Sequence, residues 1–438
     1  MTDLERLSRQ IQSMKLTTPI RVSSHCRLHN GDVIGGYEVS KVLGTGRFST
    51  VWLAKKPTAT VAIKVYRMGG TNAKYYANEV KILNRIFQHS MQYGTTPPNL
   101  IGYLGTFAHV DIGCDLAPII HPCIIFNLAG ESVSKLLRYS RQENKAGLPL
   151  QLVKKITKDI LHALVYLHSC NIIHTDIKPS NLLMNMRVDD IHDGNIGSFE
   201  ISVGDLGGST FCDDLFSLHV GTAQYCAPEL LLELNYGTSI DIWAVFTTVY
   251  ELITTMLLFD IYNECAIDYG DDEIEQMDDE IEQIDDSEYM DVDIHNECKD
   301  IGKDKDKDKD KYIDRDIDID IGNNNTYDDS VISSHSDSSD DDDDCQRVNY
   351  QHLLLMEKIL GSPPKHFTRN GRVYYNARGK LKNNPNVTVV PIWKLLILNC
   401  HIDVDECKRI EEFLLGGLKY NSDERITAEQ ALKHPWLQ

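Results

Sequence analysis

From Gly36 the chain runs through short apolar, β-branched stretches whose alternation has the period of strands. "YEVSKVL" (Tyr37–Leu43), "STVWLAKK" (Ser49–Lys56) and, after a turn containing Pro57, "TVAIKVYR" (Thr60–Arg67) are predicted strands. The spacing in "AKYYANEVKILNRIF" (Ala73–Phe87) predicts a helix, and "HPCIIFNLAG" (His121–Gly130) a buried strand leading into a loop. Beyond it the period becomes helical. "LQLVKKITKDILHALVYLHS" (Leu150–Ser169) sets Val153, Ile156, Ile160, Leu161, Leu164 and Leu167 on one face. Helical segments resume at Gln351–Gly361 and continue through "IWKLLIL", "DECKRIEEFLLGGL" and "TAEQALKHPWLQ". The order is a β-rich lobe with one helix followed by a mainly helical lobe, an α+β organisation. A cleft between two lobes is the natural ligand site.

Composition changes this picture in one place. The 438 residues carry a net charge of −21, yet residues 263–346 hold 33 Asp/Glu and 7 Lys/Arg, leaving 32 acids and 37 bases elsewhere. The acidity belongs to one segment, which contains "KDKDKDKDK" (Lys303–Lys311) and "SDSSDDDDD" (Ser336–Asp344). Such a stretch cannot bury enough apolar surface to offset chain entropy, so 263–346 is expected to be a disordered insertion. Helices resume after it, so it interrupts the second lobe. Inside it, a tandem "DDEIEQM"/"DDEIEQI" gives Ile274, Met277, Ile281 and Ile284 coiled-coil spacing, but two like-charged heptads are too few to pair stably. Residues 1–35 read as an N-terminal extension.

Eleven cysteines occur without a CxxC pair, and "MTDLERLSRQ" does not resemble a secretory signal. Both point to reduced thiols in an intracellular, cytoplasmic protein, with a nuclear location left open. Cys226 reads as an inert thiol rather than a redox switch. No apolar stretch is long enough for a membrane span.

The chemistry concentrates at four places. "LGTGRFSTV" (Leu43–Val51) joins two strands with Gly44 and Gly46, where bare backbone can close over phosphates and Phe48 would cap the tip. Alone it reads more readily as a plain hairpin, and Ser49 stands where a G-x-G-x-x-G loop has its third glycine. Lys64 in "VAIK" sits inside an apolar strand, where a lysine needs a partner; Glu79 on the next helix is the candidate. "IIHTDIKPSNLL" (Ile172–Leu183) crowds His174, Asp176, Lys178 and Asn181 into eight positions. Phosphoryl transfer uses such a set: Asp176 accepts the hydroxyl proton, Lys178 stabilises the transferred phosphoryl group, and Asn181 offers an oxygen to Mg²⁺. His174 is expected to hold the loop. "VGDLGG" (Val203–Gly208) adds Asp205 as the second Mg²⁺ ligand, with Gly207 freeing the turn.

In this order and spacing, with Ala227–Pro228–Glu229 and Asp241 following, the motifs resemble the eukaryotic-type protein kinase superfamily from about Gly36 to Leu437, the insertion apart. The resemblance implies a bilobal kinase domain over 36–438, with the N-lobe at 36–128 and the C-lobe at 129–438. It assigns nucleotide contacts to Leu43, Gly44, Thr45, Gly46, Val51, Ala62, Lys64 and Glu79. It makes Phe126 the gatekeeper and Asn127–Ala129 the adenine-binding hinge. Glu229 should pair with Arg425, and Asp241 should brace the catalytic loop. Lys178 in "DIKPSN" is similar to serine/threonine rather than tyrosine kinases.

"LGTGRFSTVWLA", "HTDIKPSNLL", "LPLQLVKK", "YGTSIDIW" and "ALKHPWL" resemble the SR-protein kinase family within that superfamily. There are departures. Only 23 residues separate Asn181 from Asp205, where that family has a long spacer. Its acidic docking positions align with Met256, Gln351 and Lys358, and its two activation-segment arginines with Ala223 and Cys226. The implied partners are ATP, Mg²⁺ and a protein with Ser/Thr acceptors, basic or Arg/Ser-rich; nucleic acid, membrane and oligomerisation are not expected. Thr175 stands where many kinases carry an arginine that reads an activation-segment phosphate, so activity without such a phosphate is expected. The rival reading is a pseudokinase scaffold acting through its acidic insertion.

Overall fold

In the computed structural model, which describes residues 26–67, 72–112, 118–143, 145–191, 198–214, 220–261, 339–383, 387–400 and 402–438, the alternating runs form a six-stranded antiparallel sheet. Its strands are β1 (Val33–Ile34), β2 (Tyr37–Thr45), β3 (Ser49–Lys56), β4 (Ala59–Tyr66), β5 (Tyr103–Ile112) and β6 (Pro118–Asn127), in the order β1-β2-β3-β4-β6-β5. Strand period two splits the side chains cleanly. Val61, Ile63, Val65 and Cys123 pack with Leu28, Ile34, Tyr37 and Val39 on one face. Ala62, Tyr66, Ile124 and Phe126 join the main core on the other, against α1 (Asn72–Tyr93).

Two readings at this end change. Residues 26–35, expected as extension, contribute β1 and buried Leu28 and Ile34 to the sheet. Strand β5 was not predicted: Gly105, at φ 146°, sits at a register shift after Tyr103 that breaks the alternation.

The second lobe is built on α3 (Leu150–Ser169) and α5 (Ser239–Thr254), with α2 (Val133–Gln142), α8 (Ile392–Cys400) and α9 (Val404–Gly417) packed around them. Helix α5 is buried on all sides, with Trp243, Phe246 and Val249 wholly buried, as a central helix requires. Two short two-stranded sheets frame the cleft: β7 (Ile172–Ile173) pairs with β10 (Thr210–Phe211), and β8 (Leu182–Met184) with β9 (Ile201–Val203). Between the major helices lie α4 (Pro228–Leu231), α6 (Ser339–Leu360) and α7 (Lys365–Thr368), and α10 (Ala428–Ala431) closes the series.

Helix α6 begins twelve residues before the expected Gln351. Its first residues overlap the end of the acidic 263–346 segment. Residues 262–338, including the tandem heptads, lie outside the described residues. No helix among the described residues is long and apolar enough to cross a membrane.

His352 of α6 is 1% exposed, packs at a tilt against the Phe259 ring and has no hydrogen-bond partner for either ring nitrogen among the described residues. Burial lowers its pKa to about 3, so the folded protein holds it neutral where the unfolded chain, near 6.5, takes a proton. Stability linked to His352 is therefore present above about pH 6.5 and is lost as the pH falls towards 3. Glu357, further along the helix, is pushed the opposite way, up to about 7, by burial. His352→Leu should leave the Glu357 contribution in place and remove the acid-limb loss. Urea denaturation at pH 7.5 and pH 5 should show a smaller drop in the variant; an equal drop would contradict this.

Candidate active site

Register across the sheet builds one wall of the cleft. Val51 pairs with Lys64, Lys64 with Ile124, and Ala62 with Phe126, so these side chains share the α1 face. Gly44 lies opposite Val51. A Cβ on Gly44 would meet nothing within 4 Å, and one on Gly46 only the Ser49 carbonyl at 3.7 Å. The fold does not demand glycine at either position, which leaves the bare backbone free for a ligand. Leu43 is half-exposed at the end of this strand; Thr45 follows it, and Asn127 and Ala129 continue from β6 into the link between lobes. Gly102 backs that link: its carbonyl accepts from the Asn127 N–H at 2.7 Å, and a Cβ there would lie 2.2 Å from the Asn127 side chain.

Phe48 does not cap the glycine loop. Its ring stacks on Tyr75 of α1 at 3.8 Å between centroids, and its carbonyl accepts from the Arg67 N–H. The stack buries apolar surface that a free loop tip would leave in water. It ties the loop to α1.

Lys64 is 8% exposed and Glu79, on α1, 1%. The Lys64 ammonium lies 3.0 Å from one Glu79 oxygen and 2.7 Å from Asp205 Oδ1. Burial alone would lower the Lys64 pKa, but the Asp205 and Glu79 carboxylates outweigh it and keep the lysine charged. The same ammonium holds Asp205 down at about 2, whereas burial raises Glu79. The Tyr66 hydroxyl donates to that same Glu79 oxygen, Oε2, while Lys64 Nζ also donates to Oε1 at 3.1 Å. Helix α1 is held inward by Asn78, whose amide donates to the Ser209 carbonyl at 2.7 Å, and by a Lys81–Asp214 pair at 2.6 Å. Asp205 itself has φ 55°, and a Cβ on Gly207 would crowd Asp205 Oδ1 and Lys64 Nζ at 3.3 Å. This is the position in the turn where glycine matters.

The catalytic-loop candidates hang from one buried carboxylate. Asp241, at the start of α5, accepts from the N–H groups of His174 and Thr175 at 2.8 Å each and sits 2.9 Å from His168 Nε2. These bonds hold Thr175 at φ 74°, an expensive conformation for a β-branched residue. The Thr175 hydroxyl donates to the Gly208 carbonyl at 3.1 Å, linking this loop to the Asp205 turn. His174 is wholly buried, with Nε2 2.9 Å from the Gly204 carbonyl and Nδ1 accepting from the Asp176 N–H, the loop-holding part read for it.

Asp176 stands beside Asn181, Lys178 and a residue that sequence reasoning missed. Asn181 Nδ2 donates to Asp176 Oδ2 at 3.0 Å and to the Asp176 carbonyl at 2.8 Å, so its oxygen is the atom suited to a cation. Lys178 Nζ lies 3.2 Å from Asp176 Oδ2 and donates to the Thr222 hydroxyl at 2.6 Å, which donates to Asp176 Oδ1 at 2.7 Å. Thr222 carried no signal beyond its place five residues before Ala227–Pro228–Glu229. Asn181 and Asp205 together offer the hard oxygen donors that Mg²⁺ takes, with a fixed ammonium beside them for phosphate.

The segment after Thr222 is anchored below. Glu229 and Arg425 form a bidentate pair, 2.6 Å at both contacts, with Arg425 Nη1 also donating to the Ser239 carbonyl at 3.0 Å. Burial pushes the Cys226 thiol up to about 12, which fits an inert thiol. Met256, aligned with a docking acid of the SR-protein kinases, is exposed, and Ala223 and Cys226 are partly buried beneath the segment.

The comparisons agree with this geometry. The family model described as "Protein kinase domain" matches residues 37–437. A "Serine/threonine-protein kinase SRPK" from Physarum polycephalum is 26% identical, covering 92% of this chain and 85% of its own. "Dual specificity tyrosine-phosphorylation-regulated kinase 2" of Drosophila melanogaster is 30% identical over 52% of this chain, and "Serine/threonine-protein kinase ppk5" of Schizosaccharomyces pombe 33% identical over 52%. The chain spans 28% and 25% of those two relatives. A match over nearly the whole described architecture establishes that the chain belongs to the protein kinase family.

Proposed function

We propose that this chain is a Mg–ATP-dependent serine/threonine protein kinase, SR-protein-kinase-like, and active without phosphate on its activation segment. The observation that carries the reading is the closed network Glu79–Lys64–Asp205 beside Asp176–Lys178–Thr222. Bound Mg–ATP supplies the phosphoryl group and the charge neutralisation that transfer requires. Lys64, kept charged by two carboxylates, binds phosphate oxygen. Asn181 and Asp205 hold the cation. Asp176 receives the proton of the acceptor hydroxyl, and Lys178 offsets charge on the group in transfer. Thr222 fixes both side chains and so couples the activation segment to the base.

Activity without phosphorylation is supported by Thr175. It reaches the Gly208 carbonyl directly, and the Asp241 carboxylate holds its backbone, so bonds within the fold set the loop. A scaffold would give Lys64, Glu79, Asp176, Asn181 and Asp205 no reason to converge.

The resemblance makes basic, Arg/Ser-rich proteins the first substrates to test, although Met256, Gln351 and Lys358 replace the acids that dock them. A positional-scanning peptide library with labelled ATP separates the cases. Transfer to serine or threonine peptides, enriched for flanking arginine, is expected; transfer to none of the peptides would overturn the reading.

A further inference from the structure

We propose that Cys26, Asp111 and His121 form a divalent-cation site suited to Zn²⁺, on the sheet face away from the catalytic cleft. Cys26 lies in the segment leading to β1, Asp111 in β5 and His121 in β6. The cysteine sulfur, a carboxylate oxygen and a ring nitrogen lie within 4.8 Å of one another. The register produces this: His109 pairs with His121 and Asp111 with Ile119, making Asp111 and His121 diagonal neighbours on one face. The N-terminal segment crosses that face. Its Arg27 N–H donates to Asp111 at 3.4 Å, and Cys26 packs against the small core containing Cys123.

His121 supplies the independent sign of a ligand. It is wholly buried, and its Nδ1 lies 2.9 Å from the Tyr66 carbonyl. A carbonyl can only accept, so Nδ1 carries the proton and Nε2 keeps its lone pair. Among the described residues that buried Nε2 has no hydrogen-bond partner. A lone pair stripped of water and left unpaired is costly. An Nδ1–H directed at a carbonyl is also the arrangement that orients an imidazole bound to metal through Nε2.

The donor set selects the ion. Mg²⁺ and Ca²⁺ take oxygen ligands, whereas sulfur, imidazole nitrogen and carboxylate together suit Zn²⁺, with water in the fourth position. Bonds of about 2.0–2.3 Å place zinc ligands roughly 3.5 Å apart, so the cluster must contract slightly. Rotation of the partly buried Cys26 and Asp111 side chains allows that. On binding, Zn²⁺ takes the place of the thiol proton, which leaves to solvent; the sulfur–zinc bond forms as the S–H bond breaks, with no redox change. The ion would staple the N-terminal segment to β5 and β6. It would also back Tyr66, whose carbonyl holds His121 and whose hydroxyl holds Glu79.

The test is Co²⁺ titration of the full chain, stripped by chelator and kept reduced. Wild type should show a thiolate-to-cobalt charge-transfer band with tetrahedral d–d bands, saturating at a single ion per chain and displaced by Zn²⁺. Cys26→Ser should abolish the charge-transfer band, His121→Gln should weaken binding by more than about 100-fold, and Cys212→Ser should change neither. Should His121→Gln not fold, Asp111→Asn, at a partly exposed position, carries the same expectation. No band in wild type, a band that survives Cys26→Ser, or unchanged affinity in Asp111→Asn would overturn the site.

Discussion

Asp176→Asn is expected to lower kcat by about 10²- to 10⁴-fold, the usual contribution of a positioned general base. Asparagine keeps the size of the side chain and one of the two acceptor oxygens, and the Asn181 bond to the backbone carbonyl of residue 176 is unaffected, so the loop should hold its shape. What it loses is the carboxylate that takes the hydroxyl proton. The urea midpoint should stay near that of wild type, because Asp176 is partly exposed and outside the main core. The KM for ATP should also change little, since Lys64, Asn181 and Asp205 are untouched. Steady-state kinetics beside a denaturation curve separate the two effects. A kcat within tenfold of wild type would remove Asp176 from the proposed role.

Arg425→Ala should be the most damaging single change to stability. The guanidinium is completely buried and its partner Glu229 nearly so, with two contacts of 2.6 Å between them. Arg425 also donates from Nε to the Lys419 carbonyl at 2.9 Å and lies over Trp243, 5.1 Å from its centroid. Alanine leaves a buried carboxylate without its cation, which costs about 3–5 kcal/mol. Because Glu229 lies in the first turn of the short helix after the activation segment, activity should fall with stability. Urea denaturation measures the first, and Glu229→Gln in the Arg425→Ala background should recover part of the loss by removing the stranded charge. A cost below about 1 kcal/mol would mean that the pair behaves as a surface bridge.

Much of this architecture was legible in the chain. Period-two runs marked β2, β3, β4 and most of β6, and the long apolar face of α3 was unmistakable. Lys64, Asp176, Asn181 and Asp205 stood out because each places a polar group inside an apolar frame, which needs a chemical reason. What escaped depends on contacts between distant segments. Thr222 looks like any threonine beside a glycine until folding sets it between Lys178 and Asp176. Phe48 was read as a lid because the position of Tyr75 on α1 cannot be inferred from the glycine loop. Strand β5 was lost to a bulge at Gly105. The cluster at Cys26, Asp111 and His121 joins three parts of the chain that only strand register brings together.

Thr175 links sequence and mechanism most closely, because an arginine there would make the loop depend on a phosphate. The decisive measurement is transfer of labelled phosphate from Mg–ATP to a substrate protein by the full chain after exhaustive phosphatase treatment, with Asp176→Asn as the blank. The account predicts a rate equal to that of untreated protein and far above the blank. A rate that falls to the blank after phosphatase treatment would contradict it.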